Sequence, residues 1–378
     1  MKFQVNRDVL SEAVSFAVKL LSQRPTLPIL GGVLIEAAAD TLTLSTFDYE
    51  VSSKTEITAV VEGSGTALVH GRLLAEIAGR LPDAPVSVST DDGKVLISCG
   101  SARFTLLSMP VEEYPTIPET GAVSGVVPAT EFAEAVSQVA VAASRDDVTP
   151  VITGVQLNVT NTAMCLIATD RYRVAIRNIE WDGQADEVSA LVPARTLQEI
   201  GKTFGSGGTI EVSLTSREDR ELIAFRSEKR TVTSLLIKGN YPPVGRLFPE
   251  LIDHYAVLTT SDLVEATRRV ALVLEREAAL RFSFTQDGLT LEAVGGDQAQ
   301  ASETIDVVLH GADMVVSLKP QFLLDGLASV HSEFVRLGFT ATDNPNKPGP
   351  VLITAQTSRD AESTDVFRYL LQPNLLLR

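Results

Sequence analysis

Val5-Asn6-Arg7-Asp8-Val9-Leu10-Ser11-Glu12-Ala13-Val14 opens the chain, and the same pattern returns twice. It recurs as Val127-Pro128-Ala129-Thr130-Glu131-Phe132-Ala133-Glu134-Ala135-Val136 and as Leu258-Thr259-Thr260-Ser261-Asp262-Leu263-Val264-Glu265-Ala266-Thr267. Each copy reads as a short strand, a polar cap, and an amphipathic helix with apolar residues at helical spacing. An interval of roughly 125 residues, the size of one domain, makes this a repeat of whole domains.

Working outward, the first two copies stay in step. Pro150 lies 122 positions after Pro28, and Leu27-Pro28-Ile29-Leu30-Gly31-Gly32 matches Thr149-Pro150-Val151-Ile152-Thr153-Gly154. Alternating strands follow at residues 41–48 and 164–170, with Leu289-Thr290-Leu291-Glu292-Ala293 as the third copy. A second short helix opens at Gly71, Ala194 and Lys319, followed by strand pairs with turns such as Asp91-Asp92-Gly93. Phe104-Thr105-Leu106-Leu107-Ser108-Met109-Pro110 and Phe367-Arg368-Tyr369-Leu370-Leu371-Gln372-Pro373 end the first and third copies alike. The expectation is α+β: domains at 1–120, 121–253 and 254–378, each with two helices on one face of antiparallel strands. Repetition alone also permits three domains on a string, with no closed assembly.

At 378 residues and 44% hydrophobic, the chain can build several cores. The N-terminus lacks a basic region followed by an apolar one, and no apolar run nears the ~20 residues that span a bilayer. A cytoplasmic protein is expected. Cys99 and Cys165 read as reduced thiols rather than a disulfide. The four histidines are dispersed, so no metal site is expected. A net charge of −16 argues against a protein that coats nucleic acid, though not against one locally basic surface.

Motifs for catalysis are missing. Neither Gly93-Lys94 nor Gly201-Lys202 has the earlier glycine of a phosphate loop, and no nucleophile elbow or His-Glu-x-x-His pair occurs. Thr169-Asp170-Arg171 sets a carboxylate beside a base, but without a placed histidine or second acid it reads as a turn. Two rivals stay open on these grounds: an enzyme with an acid/base pair between repeats, and a monomeric scaffold.

Arg24-Pro25-Thr26-Leu27-Pro28-Ile29-Leu30-Gly31 resembles the hallmark segment of the bacterial DNA sliding clamps, the β subunits of DNA polymerase III. Ala168-Thr169-Asp170-Arg171-Tyr172-Arg173-Val174-Ala175 is similar to their second-domain motif, and Tyr241-Pro242 with Phe248-Pro249 fits the end of that domain. The resemblance runs through the whole chain in order. Residues 47–51 and 109–115 look like the actinobacterial branch.

The resemblance implies a non-catalytic processivity factor without a cofactor: a head-to-tail homodimer whose six domains close a ring around duplex DNA, helices inward. It implies a groove where short peptides from polymerase, clamp loader and repair proteins dock. The matching positions are Ile152, Thr169, Arg171, Tyr172, Arg173, Val174, Pro242, Arg246, Leu247, Phe322, Leu371, Gln372, Pro373 and Asn374. Arg173 and Arg246 are expected to donate to the peptide, and Gln372 makes one wall more polar. Leu375-Leu376-Leu377 would be an odd exposed tail unless packed. The ring seam is expected at Phe104, Leu106 and Leu272.

Charge agrees with a hole for DNA. Helices taken as 7–21, 71–81, 129–142, 194–204, 261–275 and 319–330 carry nine basic and ten acidic residues; the remainder carries 23 and 38. Arg24, Arg72, Arg80, Arg145 and Lys202 are the expected phosphate contacts. Such a surface suits loose, sequence-independent contact rather than a tight site.

Overall fold

A computed structural model describes residues 1–22, 24–183, 187–217, 220–249, 251–275, 278–295, 299–340 and 348–374. Leu375, Leu376 and Leu377 lie outside the described residues. Six α-helices occur among them: α1 Arg7–Val18, α2 Gly71–Ala78, α3 Ala129–Val139, α4 Ala194–Phe204, α5 Thr260–Val270 and α6 Pro320–Val330. Four of the expected helices prove shorter at their C-terminal ends, where 3-10 turns or irregular chain take over after Val18, Ala78, Val139 and Val270.

Local chemistry accounts for the helix boundaries. Asn6 Oδ1 accepts hydrogen bonds from the amides of Asp8 and Val9 at 2.9 and 3.2 Å, satisfying donors that the first turn leaves open. Leu10, Ala13, Val14 and Ala17 then fall on one buried face of α1. At its far end, the hydroxyls of Thr46 and Ser53 both donate to the Ala17 carbonyl, at 2.9 and 2.7 Å. Pro320 opens α6, where its missing N–H costs nothing, and His331 closes it in the left-handed region at φ 50°.

The chain forms two compact units: Met1–Ala133 with Trp181–Ala185 and Thr196–Leu236, and Glu134–Glu180 with Asp186–Arg195 and Ile237–Arg378. The first holds a five-stranded sheet, in which Lys2–Val5 lies between Val60–Gly63 and Val86–Asp91, and Val60–Gly63 and Ala102–Leu107 are the two outer strands. The Asp92-Gly93 turn has positive φ at both residues, 41° and 70°, as a tight hairpin requires. Its nine-stranded sheet joins two repeats: Arg230–Leu235 runs antiparallel to Val51–Thr58, with Thr233 opposite Ser52. Phe3, Val14, Val33, Leu42, Leu44 and Val69 fill the core between helices and sheets. Each such side chain contributes about 1.5–3 kcal/mol by leaving water.

The second unit repeats this plan. Its nine-stranded sheet joins the middle and last repeats where Arg173–Glu180 pairs with Ser363–Leu371, from Arg173 opposite Leu371 to Arg177 opposite Phe367. Its four-stranded sheet has Ala299–Ile305 as an outer strand.

The repeat is visible in detail. Gly32 and Gly154 each open a strand straight after a 3-10 turn, Pro28–Gly31 and Pro150–Thr153. A β-carbon at Gly32 would meet Leu68 at 2.7 Å, and one at Gly154 would meet Ile237 and Leu191 at 2.8 Å. The Ile29 carbonyl oxygen at 2.9 Å from the first and the Val192 carbonyl oxygen at 3.0 Å from the second are backbone that cannot swing aside, so both positions favour glycine. The cysteines are unpaired, Cys99 buried and Cys165 half-buried. Among the described residues, no helix is long and apolar enough to cross a membrane.

Candidate partner groove

Strands Ala163–Thr169 and Arg173–Glu180 are joined by a turn that its own side chains hold. Thr169 Oγ1 donates to the Arg173 carbonyl at 2.7 Å and accepts from the Arg171 amide at 3.1 Å. Asp170 Oδ1 accepts from the amides of Tyr172 and Arg173, at 3.0 and 3.1 Å. Arg171 sits at φ 80°, a strained setting for a residue with a side chain, stabilised by this network and by its bond to Thr149 Oγ1 at 2.7 Å.

The turn presents Tyr172, 57% exposed, stacked on Phe322 with ring centres 5.9 Å apart. The Gln372 amide donates to the Tyr172 carbonyl at 2.8 Å, and the Asn374 amide donates to Ser317, so the C-terminal segment is tied to the same edge. Beside the turn lies a cavity of about 460 Å³. Ile152, Arg171, Tyr172, Arg173 and Phe322 line it as expected, together with Ala143–Asp146, Val148, Thr149, Asp170, Gln321 and Asp325.

Arg173 lines the cavity with a side chain that is largely buried, and two of its three nitrogens are engaged inside the protein. Nε donates to Asp170 at 2.8 Å; Nη1 donates to Asp325 at 2.6 Å and to the Tyr369 hydroxyl at 3.1 Å. The guanidinium also lies 4.4 Å from the centre of the Phe322 ring. Burial works against its charge, but Tyr369, Asp325 and Asp170 outweigh burial and hold it firmly protonated. Arg173 is thus a strut between the turn, α6 and the last strand, with Nη2 left without a partner among the described residues, beside the cavity.

Successive strand residues face opposite ways, so Val174 points away from Arg173. It joins a buried apolar cluster with Ile167, Ile176, Phe248 and Leu370, flanked by half-buried Cys165, Tyr241, Val244 and Leu352. Pro242, Arg246 and Leu247 lie on the segment that supplies Tyr241, Val244 and Phe248, with Arg246 exposed and Leu247 52% exposed. Thr169, Leu371 and Pro373 are buried, while Gln372 is exposed. Sequence reading missed Asp325 and Tyr369. Their only signals, a helical acid and a strand tyrosine, say nothing of a partner far away in the chain.

The basic residues separate. Arg24, Arg72, Arg80 and Lys202 are exposed in the first unit, whereas Arg145 lines the groove cavity in the second. Arg72 donates to the carbonyls of Leu21 and Ser22 at 3.3 and 3.0 Å. Lys202 pairs with Glu199 at 2.9 Å, and Lys19 approaches the same carboxylate at 3.5 Å. Burial would raise the Glu199 pKa, but Lys202 and Lys19 overcome it and hold the group below the usual range. Lys202 therefore offers less free positive charge than its sequence suggests.

At the expected seam, Phe104 is 38% exposed on the outer strand Ala102–Leu107, and Leu272 is 83% exposed in a 3-10 turn. Leu106 is a core residue of the first unit, not a surface one. It shares a face with Phe104, but that face is covered at Leu106. Leu107, 75% exposed, is the open neighbour.

Family models for the N-terminal, central and C-terminal domains of the DNA polymerase III beta subunit match residues 1–118, 126–243 and 245–364. The chain belongs to the DNA polymerase III beta subunit family. Within this family of sliding clamps, non-catalytic subunits of the polymerase, it is of the actinobacterial type. It is 44% identical to the beta sliding clamp of Streptomyces coelicolor over 376 residues, 99% of either chain. It is 47% identical to that of Micrococcus luteus over 312 residues, covering 82% of this chain and 100% of the other. The clamp fold also matches the beta subunit of Streptococcus pyogenes, with a TM-score of 0.90 at 24% identity, covering 99% of this chain and 100% of that one. A Pseudomonas aeruginosa sliding clamp solved bound to griselimycin gives 0.89 at 24% identity over all of both chains.

Proposed function

We propose that this sliding clamp acts as a cytoplasmic homodimer, closed head to tail around duplex DNA, with three domains per chain bounded near 120 and 253. Two outer strands support the closure. Ala102–Leu107 and Ala299–Ile305 each leave one side of a sheet unpaired, and an open edge is a template for another strand. Phe104, Leu107 and Leu272 would be covered at such a seam. Arg24, Arg72 and Arg80 would touch phosphates without reading bases, with Arg145 and Lys202 as weaker contributors.

The groove at the Thr169–Arg173 turn is the docking site for peptides of polymerase, clamp loader and repair proteins. The observation that carries this is a prebuilt turn with an open cavity beside it and an apolar cluster behind Val174. Peptide anchors would enter the apolar parts, while Arg171, Arg246 and Gln372 supply polar contacts at the rim. Binding needs no large ordering of the protein, because the turn is already fixed.

Retention on nicked circular DNA, with loss after linearisation, tests encirclement; equal loss from both would refute it. In sedimentation, a lone 40.5 kDa species at micromolar concentration would refute the dimer.

A further inference from the structure

Away from groove and helices, the first unit carries a polar recess of about 540 Å³ on its nine-stranded sheet, beneath the segment Ile117–Thr120. That segment crosses the sheet and is pinned beyond it, where the Gly121 amide donates to Thr215 Oγ1 at 3.0 Å. The floor is set by register. Ser45 and Thr231 flank Lys54 from the two adjacent strands, and Thr233 lies opposite Ser52 in the next row.

Ser45, Ser52 and Thr233 are 1%, 4% and 3% exposed, yet line this recess and make no side-chain hydrogen bond to any described residue. Their hydroxyl oxygens are not sealed inside the protein but open onto the recess, so whatever is seated there can pair with all three. The charges around them choose its sign. Lys54 is matched by Glu56 at 3.2 Å, and Arg226 by Glu211 at 2.7 Å. Lys229 then stands against Glu36, Glu119 and Glu228 on the rim.

We propose that this recess binds an organic cation, an ammonium or guanidinium group, with the floor hydroxyls accepting its N–H bonds and the rim carboxylates supplying charge. The two sources of that chemistry are a free polyamine and the lysine or arginine side chain of a partner. A hydroxyl accepts as readily as it donates, so the floor suits a ligand made only of donors. The net charge of −16 concentrates cations near the surface as a whole, and the recess adds fixed acceptors.

Isothermal titration of the full chain at low ionic strength tests this, with spermidine, N-acetyl-arginine amide and inorganic phosphate as separate probes. One cation is expected per chain. Saturation by spermidine would favour a free polyamine as the source, and saturation by the arginine amide alone a partner side chain. The Ser52→Val/Thr233→Val pair should weaken binding about tenfold, as loss of hydrogen bonds to a charged group does. The surface pair Glu36→Gln/Glu228→Gln, which leaves the core untouched, should weaken it similarly. Phosphate binding more tightly than either cation would overturn the proposal. So would affinity unchanged in both paired variants, since the cations would then be held by general surface charge.

Discussion

Replacing Arg173 with alanine should loosen the ladder between Arg173–Glu180 and Ser363–Leu371 far more than it changes any surface property. The substitution removes the shared partner of Asp170 and Asp325, whose side chains are 13% and 21% exposed, and one partner of the Tyr369 hydroxyl. Breaking a buried ion pair from one side costs about 3–5 kcal/mol. Because both carboxylates keep some contact with water, the low end, about 3 kcal/mol, is expected. Each ~1.4 kcal/mol is tenfold in an equilibrium constant, so opening should become about a hundredfold more frequent. Hydrogen–deuterium exchange reads this strand by strand, which suits a multidomain chain that need not unfold in one step. Amides of Val174–Arg177 and Arg368–Leu371 should exchange about a hundredfold faster, while Val51–Thr58 in the other unit stays unchanged. Arg173→Lys should fall between, because one ammonium cannot span three partners as a guanidinium fork does. Protection within threefold of the parent in Arg173→Ala would refute the strut.

Four further outcomes are expected. Tyr172→Ala should weaken a polymerase-tail peptide by about 0.5–1.5 kcal/mol, the range of one aromatic pair, while leaving the thermal midpoint unchanged; equal affinity in a titration would remove Tyr172 from the groove. Gly326→Ala should destabilise the second unit by about 1–3 kcal/mol, since its β-carbon would meet the Tyr369 ring at 2.7 Å; unchanged thermal unfolding would show that the ring has room. Burial favours the neutral form of Glu134, but the His331 hydrogen bond and Arg177 overcome it and hold its pKa below 4.5. That contribution is therefore present above about pH 4.5 and lost as pH falls through the depressed value, so Glu134→Gln should cost up to about 1 kcal/mol at neutral pH and nothing in strong acid; a pH-independent difference in thermal stability would contradict the pairing. Leu107→Asp should weaken dimerisation severalfold in sedimentation, whereas Leu106→Ala should instead lower stability by about 2–5 kcal/mol.

Much of the fold was legible because its signals are local. The Asn6 cap before α1, the Asp92-Gly93 hairpin and the paired Pro-to-Gly segments at residues 28–32 and 150–154 each depend on a few adjacent residues. Helix ends were less legible, since where α1 stops is decided by Thr46 and Ser53 reaching Ala17 from another strand. The groove was half legible. The turn at Thr169–Arg173 could be located, but the work of Arg173 could not, because its partners at 325 and 369 leave no mark on the residues around it.

The sequence by itself determined a threefold domain repeat with strands, helices and turns in known places, and helices spared the acidity of the rest. Only the tertiary structure decided how the repeats share sheets, with Thr233 laid opposite Ser52 and Val174 opposite Leu370. It also decided that Leu106 is core, that Arg173 is a strut, and that three unpaired hydroxyls line one recess. The physical reason is the range of the forces involved. Backbone propensity and capping act over a few residues, whereas burial, ion pairing and strand register act between whatever groups the folded chain brings within a few ångströms.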